Sequence, residues 1–443
     1  MDHLTYARAQ MGLSLAFHMA FAAVGVALPL FMVIADVMHL RTRDPEWREL
    51  AKKMAKGTSI LFAVGAVSGT VLSFELGLLW PGFMGKFGEL VGLPFAMEGF
   101  AFFTEAIFLG IYLYGRDRIP PKAHLFAGIV VALSGVASAF FVTLVNSFMN
   151  LPAPSSFTMS DGRPTLIDPS LAMWSPPWRH QTVHALLACY AATAFAMSGI
   201  HAAVLLRRPQ STLFRKALSM SLAVACIAAV LQLVSGHGSA QSIAELQPAK
   251  LAAAEAHFHT GPRAPVLIGG IPDPEAREVH GAIPIPGMLS LLAHDDPNAV
   301  VKGLDQIPRE EWPPIAATHT AFDIMVGAGS AMALLAGVSA FLAWRKRGLP
   351  DHKWFLRAVV LAGPLGLAAL EAGWCVTEFG RQPWIVHGAM LTKEAVTPFP
   401  HLAAPFWLFT LVYVFLGISV VFLLFRQLKS APDASVAEAG HVH

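Results

Sequence analysis

Residues 11–39 read MGLSLAFHMAFAAVGVALPLFMVIADVMH, and only His18, Asp36 and His39 in that run carry an ionisable side chain. About 20 apolar residues in a helix cross the roughly 30 Å hydrocarbon core of a bilayer. The stretch is therefore a membrane-spanning helix with a histidine inside it. Ionisable groups at that depth are costly, which makes each a candidate functional site. Eight further runs of similar character follow, at 57–80, 94–114, 123–147, 183–206, 214–235, 319–344, 354–379 and 402–426. Pro364 and the glycines of the eighth run predict a kink there, which a packed bundle tolerates.

The whole chain agrees with that reading. Of its 443 residues 55% are hydrophobic and 14% charged, against about 25% charged in soluble domains. A net charge of +2, with no basic stripe, excludes a nucleic-acid partner. Cys189, Cys226 and Cys375 lie in apolar runs without a CxxC or CxxCH pairing, which argues against disulfides, iron–sulfur clusters and covalent haem attachment. The opening MDHLTYARAQ lacks a basic region, and the run after it is too long for a signal peptide, so it is expected to remain as the first span.

Of the 31 Lys and Arg residues, 20 fall in the alternate, mostly short connections headed by Arg41, Arg116, Arg207, Arg345 and Arg426. Such a bias marks the cytoplasmic side. The expected fold is an all-α polytopic membrane protein with nine transmembrane helices, N-terminus outside and C-terminus cytoplasmic. Residues 1–235 hold six helices and 319–428 the last three. The polar, Pro-rich 236–318 segment forms an outer, periplasmic loop with a helical stretch QPAKLAAAEAHF, and 429–443 form a disordered tail.

His18, Glu98, His184 and Met325 each lie early in a span that enters from outside, and Glu378 ends a span that runs outward. At 1.5 Å per residue these five are expected at one level in the outer third of the bilayer. One histidine on an apolar helix is more often structural, and Met325 alone reads as core filler; five at one level outweigh that. Met/His pairs are a known low-spin haem ligation. Glu98 and Glu105, like Glu371 and Glu378, are seven apart and so share a helical face about 10 Å apart. Each pair reads as a proton relay or as hydrogen-bonded packing. Trp374 packs beside Glu378 or anchors an interface. Lys250 and Glu255 are five apart, too poorly phased for a local ion pair, and read either as solvated charges or as substrate contacts.

These residues sit in the strings FHMAF (His18), SFELG (Glu75), PFAMEGFAFFTEAIFLG (Glu98, Glu105), QTVHALLACY (His184), QPAKLAAAEA, IMVGAG (Met325) and EAGWCVTEFGRQPW (Glu371 to Trp384). Across all nine spans the chain resembles subunit I of a cytochrome bd-type quinol oxidase, in its short outer-loop form. The PFAMEGFAFFTEA string is close to the cyanide-insensitive branch. The resemblance implies a terminal respiratory oxidase of the bacterial cytoplasmic (inner) membrane. Such an enzyme oxidises ubiquinol or menaquinol at the outer face and reduces O2 to water with cytoplasmic protons, without pumping. It implies three cofactors: a low-spin haem b, a high-spin haem b, and a haem d or a second high-spin haem b. His184 and Met325 would ligate the low-spin haem, and His18 and Glu378 one high-spin haem each. Arg381 would meet propionates, Trp374 would lie between haems, Glu98 and Glu105 would carry protons, and Lys250 and Glu255 would contact quinol. A subunit II would pack alongside, with a small third subunit in some members, all in contact with membrane lipid. The chain departs from the family at Asp323, where an arginine often precedes the methionine by two residues. Competing readings are a haem-bearing electron-transfer anchor without oxygen reduction and an ion-coupled transporter, which would show an inverted repeat that this sequence lacks.

Overall fold

The structure, a computed structural model, describes residues 3–429. Most of the expected tail (430–443) lies outside the described residues. Among the described residues nine helical segments are long and apolar enough to cross a membrane. In chain order the helices are α1 (His3–Thr42), α2 (Pro45–Leu79), α3 (Pro81–Gly115), α4 (Pro121–Asn150), α5 (Trp178–Arg207) and α6 (Thr212–Leu246). They continue as the short α7 (Pro248–Ala254), then α8 (Ile315–Lys346), α9 (Lys353–Ala362), α10 (Leu365–Phe379) and α11 (Ala403–Lys429). The helix break expected at Pro364 separates α9 from α10, which together make one span.

Several helices outrun their apolar stretches. The helix α3 begins at Pro81 rather than near residue 94, α2 at Pro45 rather than 57, and α6 continues to Leu246. Hydropathy marks only the part that lipid covers, whereas hydrogen bonding carries a helix on into water. The 40 residues of α1 make a rod of about 60 Å, twice the hydrocarbon thickness. Local signals set these ends. Asp44 caps α2 by accepting from Glu46 N at 2.9 Å, with Pro45 in the first turn, a pattern that satisfies an otherwise orphan amide.

The helices form two adjoining groups. In one, α1 packs on α2 and α4, and α3 on α4 and α2; in the other, α5 packs on α6 and α10, and α8 on α10 and α6. Both α1 and α4 touch α5 and join the groups. Small residues allow close approach within the second group, between α5 and the α9–α10 span. A Cβ at Gly366 would stand 2.6 Å from Ala192 Cα, and one at Gly199 would stand 2.9 Å from Gly363 Cα.

The two ends differ in chemistry. At one end Arg48 pairs with Asp117, Arg215 with Asp351, Lys216 with Asp44 and Glu46, and Arg116 with Asp36 at 3.1 Å. At the other the connection from α6 to α8 folds over the bundle. It is ordered, and its first eleven expected residues, 236–246, belong to α6. Three short antiparallel pairings brace it: Gly261–Pro262 with Val300–Val301, Val266–Ile268 with Ile283–Ile285, and Ile271–Asp273 with Glu278–His280. Gly270, at φ 100°, could carry no side chain, since a Cβ would meet Val279 at 2.7 Å.

Candidate functional site

The helix α4 is a ruler for the acidic residues, because its side chains meet one partner after another. At its loop end the Asn150 carbonyl accepts from Gln247 Nε2 at 2.8 Å, and Asn150 Oδ1 accepts from Lys250 Nζ. One turn below, Asn146 Nδ2 donates to Glu378 Oε1 at 2.6 Å. Eight residues further, Ser138 donates to Glu98 Oε1 at 3.0 Å. Gly135 follows, where a Cβ would be 3.5 Å from Glu105 Oε2. Glu98 therefore lies about 12 Å below Glu378 along the axis. The expectation that Glu98 shares the level of Glu378 is corrected: depth counted from apolar edges misplaced Glu98, because α3 starts thirteen residues earlier.

Each nitrogen or sulfur donor singled out in the sequence faces a glycine. A Cβ at Gly69 would be 3.1 Å from His18 Cε1, one at Gly236 would be 3.5 Å from His184 Cε1, and one at Gly373 would be 3.1 Å from Met325 Sδ. His18 Nδ1 is 2.9 Å from Ser68 Oγ, and that hydroxyl donates to Val64 O at 2.9 Å. With its one proton so used, Ser68 accepts from Nδ1–H, which assigns the tautomer and leaves the Nε2 lone pair for a ligand. His184 Nδ1 is likewise 2.9 Å from Ser235 Oγ, and its Nε2 accepts from Gln232 Nε2 at 3.0 Å. His184 and Met325 lie within the second helix group, on α5 and α8.

Glu378 accepts from Asn146 on one oxygen and from Arg381 on the other. Arg381 also donates to Ile385 O, and its buried Nε has no partner. The residue expected to meet propionates is thus seen pairing with Glu378. Trp374 packs against the cluster of Ala23 of α1, Cys189 and Ala192 of α5 and Leu370 of α10, at the joint of the two groups.

Lys250 and Glu255 are only 3% and 5% exposed, which removes the reading of solvated surface charges. They point apart, as their five-residue spacing requires. Lys250 turns to Asn150 beside Glu378 and Arg381, and burial, with Arg381 nearby, lowers its pKa to about 7. Glu255 turns toward Asp323 of α8. Burial, reinforced by that carboxylate, raises its pKa to about 8. His319, which sequence reading passed over, is buried beside them. Its Nδ1 meets Ala254 O at 2.8 Å, and its Nε2 meets Gly269 O at 3.3 Å and Asp323 at 3.4 Å. Asn146, Asn150, Ser138, Ser235 and Gln232 were missed too. Asn146 and Asn150 were readable as two amides four apart in the apolar run LVNSFMN.

A profile of the family described as cytochrome bd terminal oxidase subunit I matches residues 6–432. The chain belongs to the cytochrome bd oxidase subunit I family. A Bacillus subtilis (strain 168) protein, named provisionally as cytochrome bd menaquinol oxidase subunit I, is 37% identical over 99% of this chain and 100% of its own length. Cytochrome bd ubiquinol oxidase subunit 1 of the same organism is 30% identical over 98% of this chain and 95% of its own. The solved structure of bd oxidase from Geobacillus thermodenitrificans superposes with a TM-score of 0.91 at 40% identity, covering 97% of this chain and 99% of that one.

The family is haem-containing, and the residues present fit such a group. Two imidazoles have Nδ1 held by a serine hydroxyl, His184 Nε2 would exchange Gln232 for a ligand, a thioether and a carboxylate complete the donors, and a glycine faces each of the first three. These are ligand types that hold haem iron.

Proposed function

We propose that this bd oxidase subunit I oxidises a membrane quinol at the loop end and reduces O2 to water within the bundle, taking the protons from the basic end. Its activity class is quinol:oxygen oxidoreductase, and the names of its relatives support a lipid-soluble quinol as donor. The reading rests chiefly on one observation: Lys250, Glu378, Glu98 and Glu105 follow one another along α4, from the loop end toward the basic half of the bundle.

His184 and Met325 would hold the low-spin haem b, with His18 and Glu378 each holding a high-spin haem. When bound, these groups supply electron transfer and the iron at which oxygen is reduced. The remaining steps belong to side chains of this chain. Lys250, with a pKa near 7, and Glu255, near 8, bracket the working pH, as groups that accept hydroxyl protons should. Glu255 takes a proton from the quinol, and Asp323, which His319 approaches at 3.4 Å, raises the proton affinity of its carboxylate. Glu105 passes protons to Glu98, which Ser138 orients toward the high-spin pair. Asn146 and Arg381 fix both oxygens of Glu378. Charge separates because the two sets of protons use opposite faces. The N-terminus and the 236–318 loop are assigned outside, the basic end to the cytoplasm of a bacterial inner membrane, and subunit II to an exposed apolar flank.

Purification with the native partner, pigment extraction and oxygen-uptake measurement test this. Three haems per chain with quinol-dependent uptake are expected. A single bis-histidine spectrum, or uptake absent despite full haem content, refutes it.

A further inference from the structure

Glu75, in the SFELG string, has no part in the scheme above. It is 2% exposed, and its Oε1 accepts from Gln10 Nε2 at 2.9 Å. Ser14 of α1 and Tyr413 of α11, 0% and 3% exposed, stand beside it. The Ser14 hydroxyl faces both the carboxylate and the Tyr413 hydroxyl. Even so Gln10 Oε1, Ser14 Oγ, Glu75 Oε2 and Tyr413 OH are sealed from solvent, each without a hydrogen-bond partner of good geometry.

Buried polar atoms are nearly always satisfied. Four orphan oxygens gathered from three helices point to something small that both donates and accepts. Water does both and needs two to four such partners. A metal cation fits less well, because Gln10 turns an N–H donor into the cluster and only one carboxylate is present.

The pocket adjoins His18. Ser14 precedes His18 by one turn on α1, about 6 Å along the axis, and Ser68, which holds His18 Nδ1, lies seven residues from Glu75 on α2, about 10 Å. On the loop side Ala7 and Leu79, next on the same faces, are buried in an apolar cluster with Trp80. The polar cluster is closed from that direction, and the next turns of α1 and α2 on its other side carry His18 and Ser68.

We propose that Gln10, Ser14, Glu75 and Tyr413 form an internal-water site, and that Glu75 gains a proton through this water when the group held by His18 is reduced. The proposal rests on the haem reading of His18. An electron placed in a low-dielectric interior is stabilised by a proton taken up nearby. The electron comes from quinol oxidation and the proton from solvent. One O–H bond forms on the carboxylate, hydronium reverts to water, and no other bond changes.

Two measurements on the whole oxidase test it. A map fine enough to show solvent should place water among the four oxygens, and a dry cluster overturns the site. Redox infrared difference spectra should lose a carboxylic C=O band in Glu75→Gln at unchanged haem content; an unchanged carboxyl region overturns the proton role. Should Glu75→Gln not assemble, Tyr413→Phe should shift that band, and no shift counts against the proposal equally. Preparations lacking a His18-linked haem would refute the functional reading, while the map still decides the water site.

Discussion

A glycine opposite His18, His184 and Met325 limits what each neighbour can become. Met325→Leu keeps the volume and should cost under about 1.5 kcal/mol of stability. It should nevertheless remove the low-spin visible signature while leaving high-spin bands and oxygen binding; an unchanged spectrum returns Met325 to core packing. Gly373→Ala would bring a methyl to 3.1 Å of Met325 Sδ, so it should shift the same bands with haem content retained. Glu105→Gln keeps the shape of a buried side chain and removes its proton. It should lower turnover about 100-fold or more, within the range of general acid–base catalysis, with all haems in place; wild-type turnover would make it a packing residue. His18, His184 and Glu105 stood out in the sequence as ionisable groups in apolar runs, whereas Met325 was singled out only by its expected level beside His184. Ser138, Ser235 and Gln232 were not legible, since hydroxyls and amides occur in many membrane helices and only contact shows which one orients a ligand.

At the scale of elements, α7 decides the chemistry of the loop end. It is seven residues long, too short to be stable alone, so its burial against α4, α8 and the turn after α10 holds Lys250 and Glu255 in place. Glu255 is raised from 4.5 to about 8. The folded chain therefore keeps a proton that an unfolded chain releases near pH 4.5. Its contribution to stability is complete below that pH and is lost as the pH rises through about 8. Activity should run the other way: quinol oxidation needs the carboxylate as acceptor, so the rate should climb through pH 8. In Glu255→Gln that climb should be absent from a pH–rate profile, and its persistence would exclude Glu255 as the base. Spacing alone showed that Lys250 and Glu255 point apart, but not that both are buried. Helix ends were misread for a related reason: a hydropathy run reports lipid contact, whereas hydrogen bonds and caps such as Asp44 set where a helix stops. That difference moved Glu98 about 12 Å below Glu378, away from the common level expected of the two.

At the scale of the molecule, arrangement and orientation come from different forces. Hydrophobic length fixed nine spans, and the sequence showed them plainly. The division into two helix groups joined at Trp374 depends on long-range packing, such as the seating of α5 on the α9–α10 span through Gly199 and Gly366, which no local pattern announces. Large apolar side chains remain outside, among them Phe100 at 80% exposure, Tyr114 at 75% and Phe415 at 69%, as lipid and a second membrane subunit would require. Orientation follows from charge. The basic residues that crowd the end carrying Arg48 and Lys216 resist transfer across the membrane, so that end should face the cytoplasm. Two exposed side chains give a direct reading: Glu275 in the long connection, 81% exposed, and Asp117 between α3 and α4, 74% exposed. In intact cells stripped of outer barriers, a membrane-impermeant maleimide should label Glu275→Cys and spare Asp117→Cys until the membrane is opened. Cys189, Cys226 and Cys375, all within spans, should give little background. The reverse pattern would invert the whole vectorial scheme, releasing the quinol protons into the cytoplasm, drawing those for oxygen from outside and reversing the sign of the charge separation.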